Sequence, residues 1–276
     1  MLELPEASTI AAQLRSAVLG RTITEVVVNA SPHKFAFFTG APEAYPGLLT
    51  GGRIVDARAM GGLIELTTGE LSLVIGDGVG PRLVEAGGAL PAKHQLALGL
   101  DDGSALVCSL QMYGGMYLGP AGDHDNPYYR VARDRPSPLT DAFDQDYFDA
   151  LLAEARPNLA TKGFLATEQR VPGLGNGVLQ DILFRARLHP RNRLSTLTGA
   201  DRRGLLASLK ETLTAMVAGG GRDTEKDLHG RPGGYPTVLS ARTLDLPCPD
   251  CGGAITRQAF LGGNVYVCEH CQPLRG

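Results

Sequence analysis

The spacing of apolar residues changes near residue 120. From Thr22 to Leu118 apolar positions alternate with polar ones or form short β-branched runs. The runs are Ile23–Val28, Phe35–Phe38, Arg53–Arg58, Leu63–Leu66, Leu71–Ile75, Gln95–Leu100, Ala105–Leu110 and Tyr113–Leu118. A period of two marks strands with one buried face. Gly51-Gly52, Gly61-Gly62 and Asp101-Asp102-Gly103 supply the turns. About eight short strands so spaced predict a sandwich or barrel. Ahead of them Ile10, Leu14 and Val18 share one helical face. Pro5 suits that helix's first turn, Glu6 complements its dipole and Gly20 ends it.

Beyond Gly119–Pro138, a polar and proline-bearing linker, the period becomes helical. Helices are expected at Asp144–Glu154, Leu159–Ala166, Asn176–Arg187 and Ala200–Val217. The fold class is therefore α+β: an N-terminal helix and a sandwich or barrel over 1–122, a helical domain over 136–240 and a small hairpin domain over 244–276.

The stretch Val171–Pro190 holds Pro172-Gly173-Leu174-Gly175, a tight turn, then Asn176, placed to cap a helix that Pro190 stops. A glycine turn at a helix N-terminus offers free amides to an anion. An ordinary glycine loop before a core helix explains the same residues, and both readings stand here. Glu3 is a carboxylate at the mouth of the first helix, or a plain solvated acid. Ser31-Pro32-His33-Lys34 is a polar corner; Lys34 is either a turn residue or an amine nucleophile. Gly219–Tyr235 is glycine-rich and charged, and reads as a mobile substrate-contacting loop or a solvated linker.

Cysteines change the picture most. Cys248-Pro-Asp-Cys251 and Cys268-Glu-His-Cys271 are two Cys-x-x-Cys knuckles separated by sixteen residues. Two thiolates per turn close a tetrahedron around one Zn²⁺ and leave no open position, so the metal is structural. It staples a hairpin made of Ile255–Phe260, Gly262-Gly263 and Val265–Val267; His270 is a bystander. Cys108 stands alone in an apolar strand and reads as core.

The chain has 276 residues and a formal net charge of −3. The average hides an asymmetry: residues 1–150 carry 10 basic against 18 acidic side chains, the remainder 16 against 11. A basic second half suits phosphate, while the first half does something else. No apolar run approaches the roughly 20 residues of a membrane span, and the N-terminus lacks a signal-peptide pattern, so a cytoplasmic protein is expected.

Leu-Pro-Glu near the start, Pro-Gly-Leu-Gly-Asn-Gly leading a helix, and a four-cysteine hairpin ending in Cys271-Gln272 occur in this order along nearly the whole chain. Together they resemble the Fpg/Nei family, the formamidopyrimidine-DNA glycosylase and endonuclease VIII group. The resemblance implies a helix on a β-sandwich, a domain with a helix–two-turn–helix element and a zinc finger. It further implies a monomer gripping damaged double-stranded DNA in the cleft between its halves. It gives Gly173, Gly175 and Asn176 a backbone phosphate to hold. Asp181 sits where the family usually has Glu.

The chemistry departs from the family pattern. Bifunctional members of the family begin, after Met removal, with a proline whose amine attacks C1′ of the damaged nucleotide. Here the position is Leu2, and the bulky residue should leave Met1 in place. The family's loop lysine, expected near Met60–Gly62, is absent. Gly263 stands for the finger arginine, Gln111-Met112-Tyr113-Gly114 for Arg-Arg-Phe-Gly, and Val79 for the intercalating Met. Glu3 remains as the catalytic acid or base, with Lys34 or the Met1 amine as substitute nucleophiles. Tyr113 fills the gap left by an extruded base, or packs in the core. Arg222, Lys226 and Arg231 replace lost phosphate contacts, or are surface charge. The implied activity is hydrolytic release of a damaged base with weak or no β,δ-elimination. The alternative is a non-catalytic protein recognising damage on the same scaffold; a zinc ribbon with a protein partner is a third reading.

Overall fold

The chain's first residues are gripped from both sides. Leu2 is buried in the core of the β-rich lobe, and Leu4 in the core of the helical lobe. The backbone between them is fixed by Leu4 N–H donating to Gly173 O at 2.8 Å. Glu3 therefore stands on the seam. The computed structural model describes residues 2–275, apart from the side chains of Asp77 and Gln111.

Helix α1 (Leu4–Val18) starts with a proline in its first turn and lays Ile10, Leu14 and Val18 on the sheet, as the spacing predicts. Strands β1 (Ile23–Val28), β2 (Ala36–Phe38), β3 (Asp56–Met60), β4 (Leu63–Thr68), β5 (Leu71–Val84), β6 (Leu96–Leu100) and β7 (Ala105–Pro120) follow, with the short helix α2 (Tyr45–Leu49) before β3. Their order is β1-β6-β7-β5-β4-β3, and β2 pairs parallel to β7. Strands β5 and β7 are longer than expected. The runs Ala105–Leu110 and Tyr113–Leu118 are one strand, and β5 continues through a register shift between Asp77 and Val79. Such a bulge bends a long pair, letting one sheet wrap around its own core as a sandwich.

The linker is more ordered than its composition suggests. Asn126 caps α3 (Pro127–Asp134) by accepting from the Tyr128 and Tyr129 amides. The Tyr129 side chain is fully buried and donates to Glu65 Oε2 at 2.9 Å. Glu65 also accepts from Ser72 Oγ (2.7 Å), Arg58 Nε (2.7 Å) and Gly122 N (3.0 Å). His124 joins the cluster through Ser72, with Nε2 2.7 Å from the hydroxyl. Burial alone would raise the Glu65 carboxyl, but Ser72, Gly122, Arg58 and Tyr129 outweigh it and hold it below the usual range. Glu65→Ala strands several buried donors and is expected to lower stability by about 3–5 kcal/mol in urea unfolding. Because the folded carboxyl titrates below the unfolded one, its contribution is complete above the ordinary glutamate range and is lost as pH falls through the lowered value. An unchanged urea midpoint at neutral pH would show that the cluster holds nothing.

The helical lobe comprises α4 (Gln145–Glu154), α5 (Thr161–Ala166), α6 (Val178–Arg185) and α7 (Gly199–Ala218) around Phe148, Phe164, Leu183 and Leu209. Asp144 caps α4, and Thr198 with Asp201 forms a capping box on α7. Helix α6 ends before Pro190, where Arg187 takes a left-handed φ of 57°. Strands β8 (Thr256–Phe260) and β9 (Gly263–Val267) form the C-terminal hairpin, turning at Leu261-Gly262 rather than at Gly262-Gly263. No helix among the described residues is long and apolar enough to cross a membrane.

Candidate active site

Both lobes meet backbone to backbone beside Glu3. The β3–β4 turn presses on the Pro172–Gly173 turn so closely that a Cβ on Gly61 would lie 2.9 Å from Gly173 N. Gly173 itself has φ +75°, a conformation that suits glycine alone. A Cβ on Gly175 would sit 2.7 Å from Glu3 Oε1, and one on Gly177 would fall 1.6 Å from Arg222 Nη1. The glycine motif is thus shaped first by what it packs against inside the protein.

Glu3 occupies the anion site predicted at the start of α6. Its Oε1 accepts from Gly177 N at 2.8 Å and its Oε2 from Val178 N at 2.7 Å. Asn176, expected as the cap, does not cap the helix: its Nδ2 donates to Asn264 O of the hairpin at 3.0 Å, and Oδ1 has no partner among the described residues. A carboxylate from the other end of the chain supplies the cap instead. Glu3 is 5% exposed. Burial pushes its carboxyl up, Arg222 and the two amides oppose this, and Glu6 adds to it; the net shift is upward.

Arg222, expected as a surface phosphate contact, is buried at 3% exposure and faces inward. Its Nε and Nη2 donate to the two Glu6 oxygens, each at 2.9 Å, and Nη1 lies 3.7 Å from Glu3 Oε2. Burial works against the guanidinium's charge, but Glu3 and Glu6 outweigh it and keep it firmly protonated. Glu6 was read only as a dipole acid. Its signal was the Glu3-x-x-Glu6 spacing, which puts two carboxylates on one turn of α1.

The 219–235 loop is anchored to the β-rich lobe, while Lys226, His229 and Arg231 stay exposed on it. Arg82 Nη1 donates to Asp227 O at 2.6 Å, Leu83 N to Leu228 O at 3.0 Å and Gln13 Nε2 to Asp227 Oδ2 at 2.9 Å. It is a strap tied to α1 and β5. Arg231 pairs with Asp227 on the strap at 3.0 Å, and Lys226 is exposed.

A cleft cavity of about 260 Å³ is lined by Glu3, Gly173, Gly175, Asn176, Tyr113 and Gly262, among others. Behind it lies a second cavity of about 470 Å³, lined by Glu6, Val79, Met112, Glu225 and Lys226. Leu2 and Tyr113 line both, so they form the partition. Tyr113 is 40% exposed and is not a core residue. Gln169, which the sequence reading passed over, lines the cleft and accepts from Gly173 N at 3.0 Å. Lys34 is exposed, sits 4.6 Å over the Phe35 ring and lines neither cavity. Met1 lies outside the described residues. A larger cavity of about 590 Å³ between the linker and β7 includes none of the candidate residues.

The four knuckle cysteines converge, with all Sγ atoms within 4.8 Å of one another. A tetrahedral zinc–thiolate site with bonds near 2.3 Å spaces its sulfurs by about 3.8 Å. Cys248 and Cys271 lie 3.8 Å apart and Cys251 and Cys268 3.4 Å, so the cluster can hold one metal ion. Cys108 is buried in β7, far from any pairing with these, and its thiol is pushed up to about 12 by burial.

Comparison with known proteins agrees with this architecture. Residues 1–143 match the formamidopyrimidine-DNA glycosylase N-terminal domain, and residues 135–227 the formamidopyrimidine-DNA glycosylase H2TH domain. The formamidopyrimidine-DNA glycosylase of Geotalea uraniireducens is 31% identical over 284 residues, covering 99% of this chain and 100% of that protein. The Nocardioides enzyme of the same name is 32% identical, covering 99% and 95%. The crystal structure of MutM (Fpg) from Thermus thermophilus superposes with a TM-score of 0.82 at 28% identity, covering 99% of this chain and 100% of that one. The Lactococcus lactis Fpg, in complex with DNA containing an abasic site, has the same fold at a TM-score of 0.85 and 21% identity, covering 98% and 99%. The chain belongs to the formamidopyrimidine-DNA glycosylase family.

Proposed function

We propose that this protein is a DNA-repair glycosylase that binds damaged duplex DNA as a monomer and releases the damaged base by hydrolysis, with little or no strand cleavage. One observation carries the reading: Glu3 is held in the cleft wall between the lobes while the neighbouring position, a proline amine in the family, is the buried side chain of Leu2. With Met1 retained, the Leu2 nitrogen is a peptide amide and cannot form the iminium on which strand cleavage depends. The base rotates out of the stack into the second cavity, and Tyr113, on the partition, fills the space it leaves. Glu3 then takes a proton from water as its oxygen attacks C1′. The C1′–N bond breaks with its electron pair leaving on the base. Burial raises the Glu3 carboxyl above its ordinary value, which makes its carboxylate a stronger base toward water.

In this reading Asn176 and the turn at Gly173 and Gly175 approach the backbone phosphate, aided by Lys226 and Arg231 at the strap. The Asn176 amide is engaged with the hairpin, so it orients the finger against the phosphate site as well. The metal held by Cys248, Cys251, Cys268 and Cys271 is a structural Zn²⁺. Lys34 lines neither cavity, and this reading gives it no part.

The test uses duplexes bearing formamidopyrimidine, oxidised pyrimidine or N-alkylated bases. At least one should give strand breaks only after hot alkali, with no nick beforehand and no adduct on borohydride treatment. A trapped adduct would restore an amine nucleophile and overturn the hydrolytic mechanism. Tight binding with no base loss from any duplex would favour the non-catalytic alternative.

A further inference from the structure

Two buried carboxylates share one guanidinium, and they share it unequally. Glu6 receives three donations from Arg222: the backbone N (3.2 Å), Nε (2.9 Å) and Nη2 (2.9 Å). Glu3 receives none, only the charge of Nη1 at 3.7 Å. All three side chains are nearly inaccessible, with exposures of 3% to 6%. The guanidinium also lies directly under the start of α6, since a Cβ on Gly177 would overlap Nη1. A cation there opposes the positive end of the helix dipole, and Glu3 is the anion between them.

We infer that Arg222 is a positioning residue that holds Glu3 ready as the proton acceptor, and that Glu6 fixes how much of the Arg222 charge Glu3 feels. The inference rests on the proposed role of Glu3. Glu6 clamps the guanidinium edge-on, so that its remaining nitrogen faces Glu3 without bonding it. A full Arg222–Glu3 salt bridge would lock the carboxylate as a weak base. Without Arg222, burial and Glu6 would push the Glu3 carboxyl higher still. Charged groups facing Glu3 are few among the described residues: Glu6 from α1, and Arg222 from the strap with Glu225 behind it at 4.0 Å. From α6 come the two amides, and from the β3–β4 turn only Gly61 and Gly62. Lys226 lines the second cavity, and the terminal amine belongs to Met1, outside the described residues.

The arrangement makes two variants move the pH profile of base release in opposite directions. Arg222→Met removes the attractive charge and should shift the Glu3 limb to higher pH by about one unit or more. Glu6→Gln removes a like charge and should shift it to lower pH. Arg222→Lys retains the charge and should keep the limb near its original place even where the maximal rate falls. If Arg222→Met does not fold, the double variant Glu6→Gln/Arg222→Met removes both charges together, and its limb should return toward that of the unmodified protein. Equal rate losses at every pH, with no limb displaced in any variant, would reduce Arg222 to a structural tie and overturn the inference. The role of Glu3 itself is tested separately: if Glu3→Gln keeps both rate and limb, the error lies in the proposed mechanism rather than in the role of Arg222.

Discussion

Replacing Glu3 with glutamine is expected to slow base release about 10²- to 10⁴-fold while leaving duplex binding largely in place. Glutamine matches glutamate in size but cannot accept the proton of the attacking water. The substitution also disturbs structure, because Glu3 uses both oxygens on the α6 amides of Gly177 and Val178. The glutamine carbonyl can accept from one of them, and the amide nitrogen then faces the other N–H. One buried donor is stranded, at a cost of about 1–3 kcal/mol. Stability and activity therefore have to be read together, by urea unfolding and by single-turnover base release at a temperature where the variant stays folded. Affinity for a duplex with a non-cleavable abasic analogue gives the third reading. A variant that binds, folds and still releases base at the original rate would remove Glu3 from the chemistry.

Much of the fold was legible because its causes are local. The short apolar runs of β4 and β6, the helical face of α1 and the two knuckles each lie within one short stretch. What was missed depends on distant partners. Glycines interrupt the alternation of β5 and β7, so two long strands read as shorter ones. Gly78 must be glycine because a Cβ there would lie 2.2 Å from Tyr113 O, a neighbour no local pattern reveals. Asn176 was the natural cap by position, yet the capping carboxylate comes from Glu3, 174 residues earlier than Gly177. Arg222 sits among glycines and charges, which locally means surface. Its partner Glu6 is 216 residues away. The family resemblance gave Glu3 a catalytic role, Asn176 a phosphate and the cysteines a structural zinc, but it gave no hint that Arg222 faces inward or that the strap is tied down.

Loss of the metal should disable DNA binding without unfolding the two lobes. The hairpin has a small core of its own, Leu239, Cys248, Ile255 and Cys268 against Phe184 of α6, and two of those four are cysteines. A structural zinc contributes about 10–16 kcal/mol of binding free energy at neutral pH, far more than such a core can replace. The hairpin is also what closes the cleft. Gly262 lines the cavity that holds Glu3, and Asn264 O accepts from both Asn176 Nδ2 and Gln180 Nε2, at 3.0 and 3.1 Å. Tyr266 N donates back to Gln180 Oε1 at 3.1 Å. Releasing the metal therefore frees the cleft wall and the Asn176 side chain at once. Cys251→Ser, or exhaustive chelation, is expected to leave less than one metal per chain by elemental analysis and to weaken affinity for a lesion duplex about 100-fold or more at moderate salt. Cooperative unfolding of the remainder should persist, since the β-rich and helical cores do not include the hairpin. A metal-free protein that bound the duplex undiminished would show that the cysteine cluster is dispensable for closing the cleft.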